Sequence, residues 1–228
     1  MPSLLWFDLS MNNMSGGIPF PYCRLRYLEK LQLSDNNLSG EVPNCWKYSS
    51  NLLLLDLSSN KLVGGVPVSL CNLQKLESLH LSHNNLSGRE IKYTTRQLLI
   101  DALIDLSNNN LSGYIPEELG NLHGLRSLNL SRNYLIGQIP WSIGGMKQLE
   151  VLDLSRNNLS GTIPSSLAAL NFLNHLNLSY NNLSGRIPTG NQLQTFADPS
   201  VYDGNPNLCE PPLIKNCTVN IAKADEEE

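Results

Sequence analysis

Apolar and polar positions repeat along the chain with a fixed period. The clearest copy of the repeat is LDLSRNNLSGTIP, residues 152–164. Seven near-copies begin at Phe7, Leu31, Leu55, Leu79, Ile104, Leu128 and Leu176. Successive copies start 24 residues apart, except for a step of 25 between Leu79 and Ile104. A period of this length is typical of a leucine-rich solenoid, in which each coil contacts only its neighbours.

Within each copy, the LxLS segment predicts a short strand. Its two apolar residues point to one side and the residue between them to the other, so stacked copies give a parallel sheet with one buried and one solvent-facing side. The glycine of LSG allows a tight bend. The Ile-Pro pair that follows closes a second short extended segment, because proline cannot donate a ladder hydrogen bond.

An asparagine follows each predicted strand, at the point where the coil turns. Its side-chain amide can both donate to and accept from backbone groups that lack sheet partners. We therefore expect one internal ladder of asparagines, formed by Asn12, Asn36, Asn60, Asn84, Asn109, Asn133, Asn157 and Asn181.

Composition narrows the choice of function. The net charge is −4, most of it in the acidic end Asp225–Glu228, so the body of the chain has no basic surface for nucleic acid. No run of about 18 apolar residues and no signal peptide is present. Because the first copy begins at once, without a capping segment, we expect a fragment of a longer array.

The motif LxLSxNxLSGxIP and the ending FADPSVYDGNPNLCEPPL resemble plant extracellular leucine-rich repeats and the C-terminal cap of plant receptor-like proteins. The acidic stretch KADEEE resembles their juxtamembrane segment. This resemblance implies a β-rich α/β solenoid, a right-handed superhelix or horseshoe arc with a parallel concave sheet, second short strands after the turn and short 3-10 segments on the convex side. It also implies an extracellular location, with the parent protein anchored in the plasma membrane by a transmembrane helix that this chain lacks.

We divide the chain into five parts. In the resembling family a non-repeat island precedes the last four repeats, and GREIKYTTRQLLIDAL resembles its downstream edge. The parts are repeats 1–4 without an N-terminal cap (1–87), an island remnant (88–103), repeats 5–8 (104–188), a disulfide-stapled C-terminal cap (189–217) and an acidic tail (218–228).

Five cysteines leave one unpaired in any full pairing. Cys209 and Cys217 lie eight residues apart in the cap and predict one bridge. Cys23 and Cys45 fall at nearly the same angular position on adjacent coils, which allows a second bridge. A disulfide between Cys45 and Cys71 is the rival pairing. A third possibility is that Cys23, Cys45 and Cys71 are all unbonded.

Nine Asn-x-Ser/Thr sequons are glycosylation candidates, although NNLSG generates a sequon as a by-product of the repeat. They are Asn13, Asn37, Asn85, Asn110, Asn129, Asn158, Asn177, Asn182 and Asn216. Asn129 and Asn177 fall in the middle of predicted strands, on the solvent-facing side of the sheet, where a glycan would obstruct a partner.

Candidate partner-binding residues lie on the concave face, in columns of equivalent positions on successive coils. From the last four repeats we select Asp105, Asn129, Asp153, Asn177, Arg126, Arg132, Arg156 and Tyr180. Arg132, Arg156 and Tyr180 immediately precede three consecutive ladder asparagines, and Arg and Tyr are enriched at interface hot spots. The alternative is a solvated edge without a partner.

Catalytic chemistry is not indicated. Asp56 and Asp105 stand two coils apart on an open sheet without an apolar wall that could raise one pKa. His80 and His83 point differently, and no third metal ligand converges on them. We predict no enzymatic activity, no metal and no cofactor.

Three functions from different classes remain. The first is a receptor ectodomain in plant defence or development, which binds a peptide, protein or glycan ligand and, as the resemblance implies, docks a co-receptor kinase through its last repeats. The second is a secreted inhibitor that resembles polygalacturonase-inhibiting leucine-rich proteins. The third is ice binding by a regular column of serines. That column is Ser10, Ser34, Ser58, Ser82, Ser107, Ser131, Ser155 and Ser179.

Overall fold

In the computed structural model, which describes residues 4–90 and 102–217, the repeat forms a solenoid of eight coils. Each coil contributes one strand to each of two parallel sheets. Within both sheets the strands follow chain order, so that every coil stacks on the one before it. The predicted leucine-rich solenoid is confirmed.

The first sheet corresponds to the predicted concave sheet. Among the described residues its strands are β1 (Trp6–Asp8), β3 (Lys30–Gln32), β5 (Leu54–Asp56), β7 (Ser78–His80), β9 (Ala102–Asp105), β11 (Leu125–Asn129), β13 (Val151–Asp153) and β15 (His175–Asn177). Leu128, Leu152 and Leu176 pair in register and are buried, whereas the next residue of each strand faces solvent. The LxL alternation therefore produces one buried and one wet side.

The second sheet begins immediately after the ladder asparagines. Its strands in the described part of the chain are β2 (Ser15–Gly16), β4 (Asn37–Glu41), β6 (Lys61–Gly64), β8 (Asn85–Glu90), β10 (Asn110–Tyr114), β12 (Tyr134–Gly137), β14 (Asn158–Gly161), β16 (Asn182–Arg186) and β17 (Asn207–Cys209). The second residue of a regular strand, such as Leu135 or Leu159, is fully buried. The first and third residues form an outward face.

Short 3-10 helices close the coils on the side opposite the first sheet. They are η1 (Phe20–Arg24), η2 (Trp46–Tyr48), η3 (Val68–Asn72), η4 (Glu117–Asn121), η5 (Trp141–Gly145), η6 (Ser165–Ala169) and η7 (Asn191–Thr195). A further 3-10 helix in the cap, η8 (Pro199–Tyr202), lies beside β15 of the first sheet. Pro116, Pro140 and Pro164 stand just before η4, η5 and η6, where a missing backbone N–H costs nothing. Ile143 and Leu167 from η5 and η6 complete the core.

Asparagine side chains join successive coils. The Asn133 Nδ2 donates to the carbonyls of Leu130 and Ser131, both at 3.1 Å, and to that of Leu106 in the preceding coil at 3.0 Å. Its Oδ1 accepts from the Leu111 N–H of the preceding coil at 3.0 Å. The same four-bond pattern occurs at Asn36, Asn60, Asn84, Asn109, Asn157 and Asn181. Asn12 donates only within its own coil, to Leu9 and Ser10.

The cap extends this ladder by one rung that the repeat motif did not reveal. Asn205, 24 residues after Asn181, donates to the carbonyls of Tyr202, Asp203 and Leu178 and accepts from the Leu183 N–H at 3.0 Å. Strand β17 continues the second sheet beside β16. The cap is therefore a ninth, partial coil stacked on the eighth.

Two register shifts occur close to the step of 25 residues between Leu79 and Ile104, whereas β7 and β9 pair in continuous register. The pairing of β8 with β10 shifts register between Leu111 and Tyr114, and that of β9 with β11 shifts between Leu125 and Ser127. The Asn109 rung nevertheless reaches back to the Leu81 carbonyl at 3.0 Å. Residues 91–101, most of the predicted island remnant, and the tail 218–228 lie outside the described residues.

Two disulfides are present in the described part of the chain. Cys23 and Cys45 join coils 1 and 2 with a Cα–Cα distance of 5.7 Å, and Cys209 and Cys217 close the cap at 5.1 Å. The structure thus contains the Cys23–Cys45 pairing and not its rival. Next to Cys45, Trp46 is fully buried in the core.

Candidate functional site

The polar column of the first sheet is partly occupied by bonds within the fold. Asp105 Oδ1 accepts from the Ser107 N–H at 3.0 Å, and Asp153 Oδ1 accepts from the Ser155 N–H at 2.9 Å. Asn129 accepts in the same way from Ser131 at 3.1 Å. These side chains stabilise the turn after each strand and are half-buried, so only part of each remains available to a partner.

The last member of the column, Asn177, is the most engaged of the four. Its Oδ1 accepts from the Ser179 N–H at 3.1 Å and from the Ser179 hydroxyl at 2.7 Å. At the other end of the sheet, Ser10 donates through both its hydroxyl and its N–H to Asp8, and these bonds lower the pKa of the Asp8 carboxyl. The serines of this column therefore stabilise the turns through hydrogen bonds to the preceding Asp or Asn side chain.

Arg126 is exposed at the edge of the first sheet and contacts a carboxylate. Its Nη1 lies 3.2 Å from Glu150 Oε1 on the adjacent coil. The pair joins coils 6 and 7, and both side chains remain more than a third exposed. A solvent-exposed pair of this kind contributes at most about 1 kcal/mol to stability, so a partner could displace it at low cost.

Arg132, Arg156 and Tyr180, which we call the arginine–tyrosine strip, occupy equivalent positions on three consecutive coils and are exposed. The Arg156 guanidinium lies 4.3 Å from the centre of the Tyr180 ring, within the range of a cation–π contact. Neither guanidinium of the strip forms an ion pair with a carboxylate of the described residues. The strip therefore presents uncompensated positive charge.

The backbone of the strip has a left-handed conformation that sequence analysis missed. Arg132, Arg156 and Tyr180 have φ of 53°, 55° and 54°. The same holds for Met11, Asp35, Ser59, His83 and Asn108 at the equivalent positions. Because this column contains eight residues of seven types and no glycine, nothing in its composition signals a conformation that usually favours Gly or Asn.

A polar cleft of about 440 Å³ lies beside the strip. Arg132 and Arg156 contribute to its lining, and most of the remaining lining consists of asparagines from coils 4 to 6. Amide groups can donate and accept, whereas guanidinium groups only donate. The cleft is therefore suited to a ligand that carries an anionic group together with neutral polar groups.

One of the two histidines of coil 4 is engaged within its own strand. His80 Nε2 hydrogen-bonds with the Ser78 hydroxyl at 2.7 Å. In residues 4–90 and 102–217 no group of three or more His, Cys, Asp or Glu side chains is arranged to hold a metal ion.

The nine sequons fall into three groups. Asn129 and Asn177 lie on the first sheet, half-buried, and their side-chain oxygens accept bonds from Ser131 and Ser179. Asn216 is exposed in the cap. The remaining six occupy the first position of second-sheet strands or, at Asn13, the corresponding place before β2. These six are Asn13, Asn37, Asn85, Asn110, Asn158 and Asn182.

Tyr202 is the main cap residue that sequence analysis did not select. It is 1% exposed, and its hydroxyl has no hydrogen-bond partner among the described residues. Burial raises the pKa of Tyr202 to about 12. Tyr202 occupies the position at which regular coils bury a leucine, so the leucine pattern alone does not identify it as a core residue.

Comparison with known proteins agrees with this architecture. Two family models described as leucine rich repeats match residues 24–86 and 140–183, and residues 103–122 and 124–146. Receptor-like protein 32 of Arabidopsis thaliana is 50% identical over 44 residues, which cover 19% of this chain and 5% of that protein. The matched segment is thus a small part of the curated relative.

Solved structures match over most of the chain. The Arabidopsis receptor kinase HAESA, solved with the peptide hormone IDA and the co-receptor SERK1, aligns with a TM-score of 0.76 and 38% identity, covering 89% of this chain and 33% of HAESA. A plant ice-binding protein aligns with a TM-score of 0.68 and 32% identity, covering 96% of this chain and 77% of that chain.

None of the helices in residues 4–90 and 102–217 has the length and apolarity that a membrane span requires. The repeats match the family models over more than half of the chain, so the chain belongs to the leucine-rich repeat family, and it is similar to plant receptor-like proteins and receptor-kinase ectodomains.

Proposed function

We propose that this chain is a non-enzymatic recognition module from the ectodomain of a plant cell-surface receptor. It binds a peptide, protein or glycan ligand and docks a co-receptor kinase through its last coils. The observation that carries the proposal is the arginine–tyrosine strip, three exposed side chains on consecutive coils. Its two guanidinium groups form no ion pair with a carboxylate in the part of the chain that the structure describes. The two disulfides fit an extracellular location.

The chemistry of the strip supports docking in two ways. Tyrosine and arginine supply large contact area and several donors in a fixed geometry, and they dominate binding energy in many interfaces. Uncompensated positive charge also favours encounter with an acidic partner surface. HAESA, which is similar to this chain, was solved with both a peptide hormone and a co-receptor. That complex supports a ligand and a co-receptor as the two kinds of partner proposed for this chain.

The candidate residues of the first sheet have a different role in the proposal. Each of these side chains accepts a hydrogen bond from the following turn with one oxygen, and its remaining polar atom can bind a ligand along the concave face. The residues are Asp105, Asn129, Asp153 and Asn177. Arg126 would exchange its exposed Glu150 contact for a ligand group. The carboxylates of Asp105 and Asp153 already accept bonds from the following turn, which supports a binding role for the concave face.

Binding to a panel of co-receptor kinase ectodomains tests the proposal. The secreted, disulfide-intact protein is compared with an Arg132→Glu, Arg156→Glu variant by surface plasmon resonance. A Lys47→Glu, Lys61→Glu variant carries the same change in net charge on coils 2 and 3 and serves as the matched control. We expect binding to fall at least about tenfold in the arginine variant, since rim charges affect the association rate and central arginines also affect dissociation.

Equal loss in both variants would mean that net charge alone drives association. Unchanged binding in the arginine variant would contradict docking through the strip. A pull-down with fungal hydrolases addresses the inhibitor function on the same protein.

Ice binding is the second candidate function, and one observation favours it. Exposed asparagines of the second sheet recur at a regular spacing, and the similar plant ice-binding protein covers nearly the whole chain. The serine column is not the surface for this, because Ser82, Ser107, Ser131, Ser155 and Ser179 are buried. Lys61 and Tyr134 replace asparagine in two coils and interrupt the regular row. We therefore expect little activity in an ice-recrystallisation assay.

A further inference from the structure

The outward face of the second sheet repeats a sequon in six coils and departs from it in two. A sequon coil places Asn at the first position of its strand and Ser at the third. Coil 3 has Lys61 and Val63 at these positions, and coil 6 has Tyr134 and Ile136. Both departures therefore remove a sequon and add a β-branched apolar side chain.

Strand register gives the two departures a common neighbour. Val63 pairs directly with Asn85, and Ile136 pairs directly with Asn158. Both asparagines begin the sequon of the following coil. Directly paired residues on one face of a sheet have Cβ atoms about 5 Å apart, within side-chain contact. Elsewhere the paired neighbour is serine: Ser15 beside Asn37, Ser87 beside Asn110 and Ser160 beside Asn182.

The apolar neighbours are uncovered by protein. Val63 is 41% and Ile136 is 42% exposed. Ile136 is continuous with a larger surface, because Tyr114 pairs with it from the other side and is 67% exposed. The Tyr114 ring lies over Gly137, where any side chain would collide with the ring. On coil 3 the corresponding neighbour of Val63 is the charged Glu41.

The asparagines beside these surfaces are available for modification. Asn85 and Asn158 are exposed, and their amides form no hydrogen bond with the described residues. In glycosylation the Asn Nδ2 bonds to C1 of N-acetylglucosamine and loses a proton, while the diphosphate of the lipid-linked oligosaccharide donor leaves. The attached sugar has a C–H face and an acetyl methyl group, both of which gain from contact with apolar side chains.

We infer that Asn158 and Asn85 carry N-linked glycans whose first N-acetylglucosamine packs on Ile136 and Val63. The glycans thereby cover apolar side chains that the protein leaves exposed. The effect on stability is largest at Asn158, where Tyr114 extends the apolar surface, smaller at Asn85, and absent at Asn182. The inference needs only passage through the secretory pathway and is independent of ligand or co-receptor binding.

A double-mutant cycle on protein secreted from plant cells tests this. Glycopeptide mass spectrometry establishes occupancy at Asn85, Asn158 and Asn182. Asn158→Gln and Ser160→Ala then remove the same glycan by two routes, and Asn182→Gln is the matched control with a serine neighbour. We expect the melting temperature to fall by about 2–4 °C in both Asn158-sequon variants and by less than about 1 °C in the control.

The second half of the cycle repeats each glycan removal in an Ile136→Ser background. If the sugar packs on Ile136, removal of the Asn158 glycan no longer changes the melting temperature there. Trimming to the single attached N-acetylglucosamine with an endoglycosidase is expected to retain the stabilisation. An unoccupied Asn158, equal shifts at Asn158 and Asn182, or a shift that persists with Ile136→Ser would each overturn the inference.

Discussion

The first and sixth rungs of the asparagine ladder have the same motif and different surroundings. Asn133 makes four hydrogen bonds, two of them to the preceding coil, and is 5% exposed. Asn12 makes two, both within its own coil, and is exposed to solvent. The repeat specifies the residue, but the neighbouring coil determines how much that residue contributes to stability.

The largest expected effect comes from Asn133→Ala. This variant leaves the Leu111 N–H without its partner, and the carbonyls of Leu106, Leu130 and Ser131 each lose one of two donors. We expect a loss of about 2–4 kcal/mol in the free energy of unfolding. Asn12→Ala should cost less than about 1 kcal/mol, because water can replace its bonds. Urea denaturation followed by circular dichroism measures both.

Asn133→Asp serves as a control for the donor and acceptor roles, since it keeps the acceptor for Leu111 and removes the Nδ2 donor. A loss clearly smaller than that of Asn133→Ala would assign most of the contribution to the bond from Leu111, because the aspartate also bears the cost of a carboxyl group among three carbonyls. Equal losses at Asn12 and Asn133 would contradict the dependence on position in the stack.

The next effect concerns Asn205, a rung outside the repeat motif. Asn205 is 5% exposed and bonds to Leu178 and Leu183 of coil 8 in the interior pattern. We expect Asn205→Ala to cost about 1–3 kcal/mol, closer to Asn133→Ala than to Asn12→Ala. Asn207→Ala, on an exposed residue of the same cap, is the matched control. A result near that of Asn12→Ala would show that the cap contributes little to the stack.

Asn205 also shows how far sequence analysis could go. The period, the LxLS alternation and the eight ladder asparagines follow from apolar spacing and side-chain chemistry, so the solenoid was predictable. Asn205 keeps the 24-residue spacing, but Ser200 and Tyr202 stand at the two leucine positions before it, so the motif does not reveal this coil. Neither the left-handed backbone of Arg132 nor the pairing of Ile136 with Asn158 could be predicted, because both depend on register between coils.

A smaller effect is expected from Tyr202→Phe in the cap. The Tyr202 hydroxyl is buried without a partner among the described residues, and its removal should be neutral or stabilising by less than about 1 kcal/mol. The unfolded chain ionises near pH 10, whereas the folded pKa is about 12. The stability of the native protein should therefore fall between about pH 10 and pH 12.

Comparison of the two proteins by denaturation at pH 9 and pH 11 isolates this contribution. Tyr202→Phe should lose less stability than the native chain over that interval. The exposed Tyr134→Phe is the matched control and should show no such difference. An identical pH dependence in Tyr202→Phe and the native chain would rule out the buried hydroxyl as its cause.

The smallest expected effect on stability comes from substitutions at the left-handed residue that precedes each ladder asparagine. Ser59 and Asn108 occupy equivalent left-handed positions with φ of 52°, a region that asparagine tolerates better than serine. We expect Ser59→Asn to stabilise the protein by about 0.5 kcal/mol and Asn108→Ser to destabilise it by a similar amount. Urea midpoints of the two reciprocal variants measure the pair. The backbone conformation is the same at Ser59 and Asn108, whereas the following Asn60 and Asn109 differ in burial. Urea midpoints that shift by equal amounts in opposite directions would therefore mean that the backbone strain arises from the turn itself. Shifts of the same sign would instead assign it to contacts of the individual side chains.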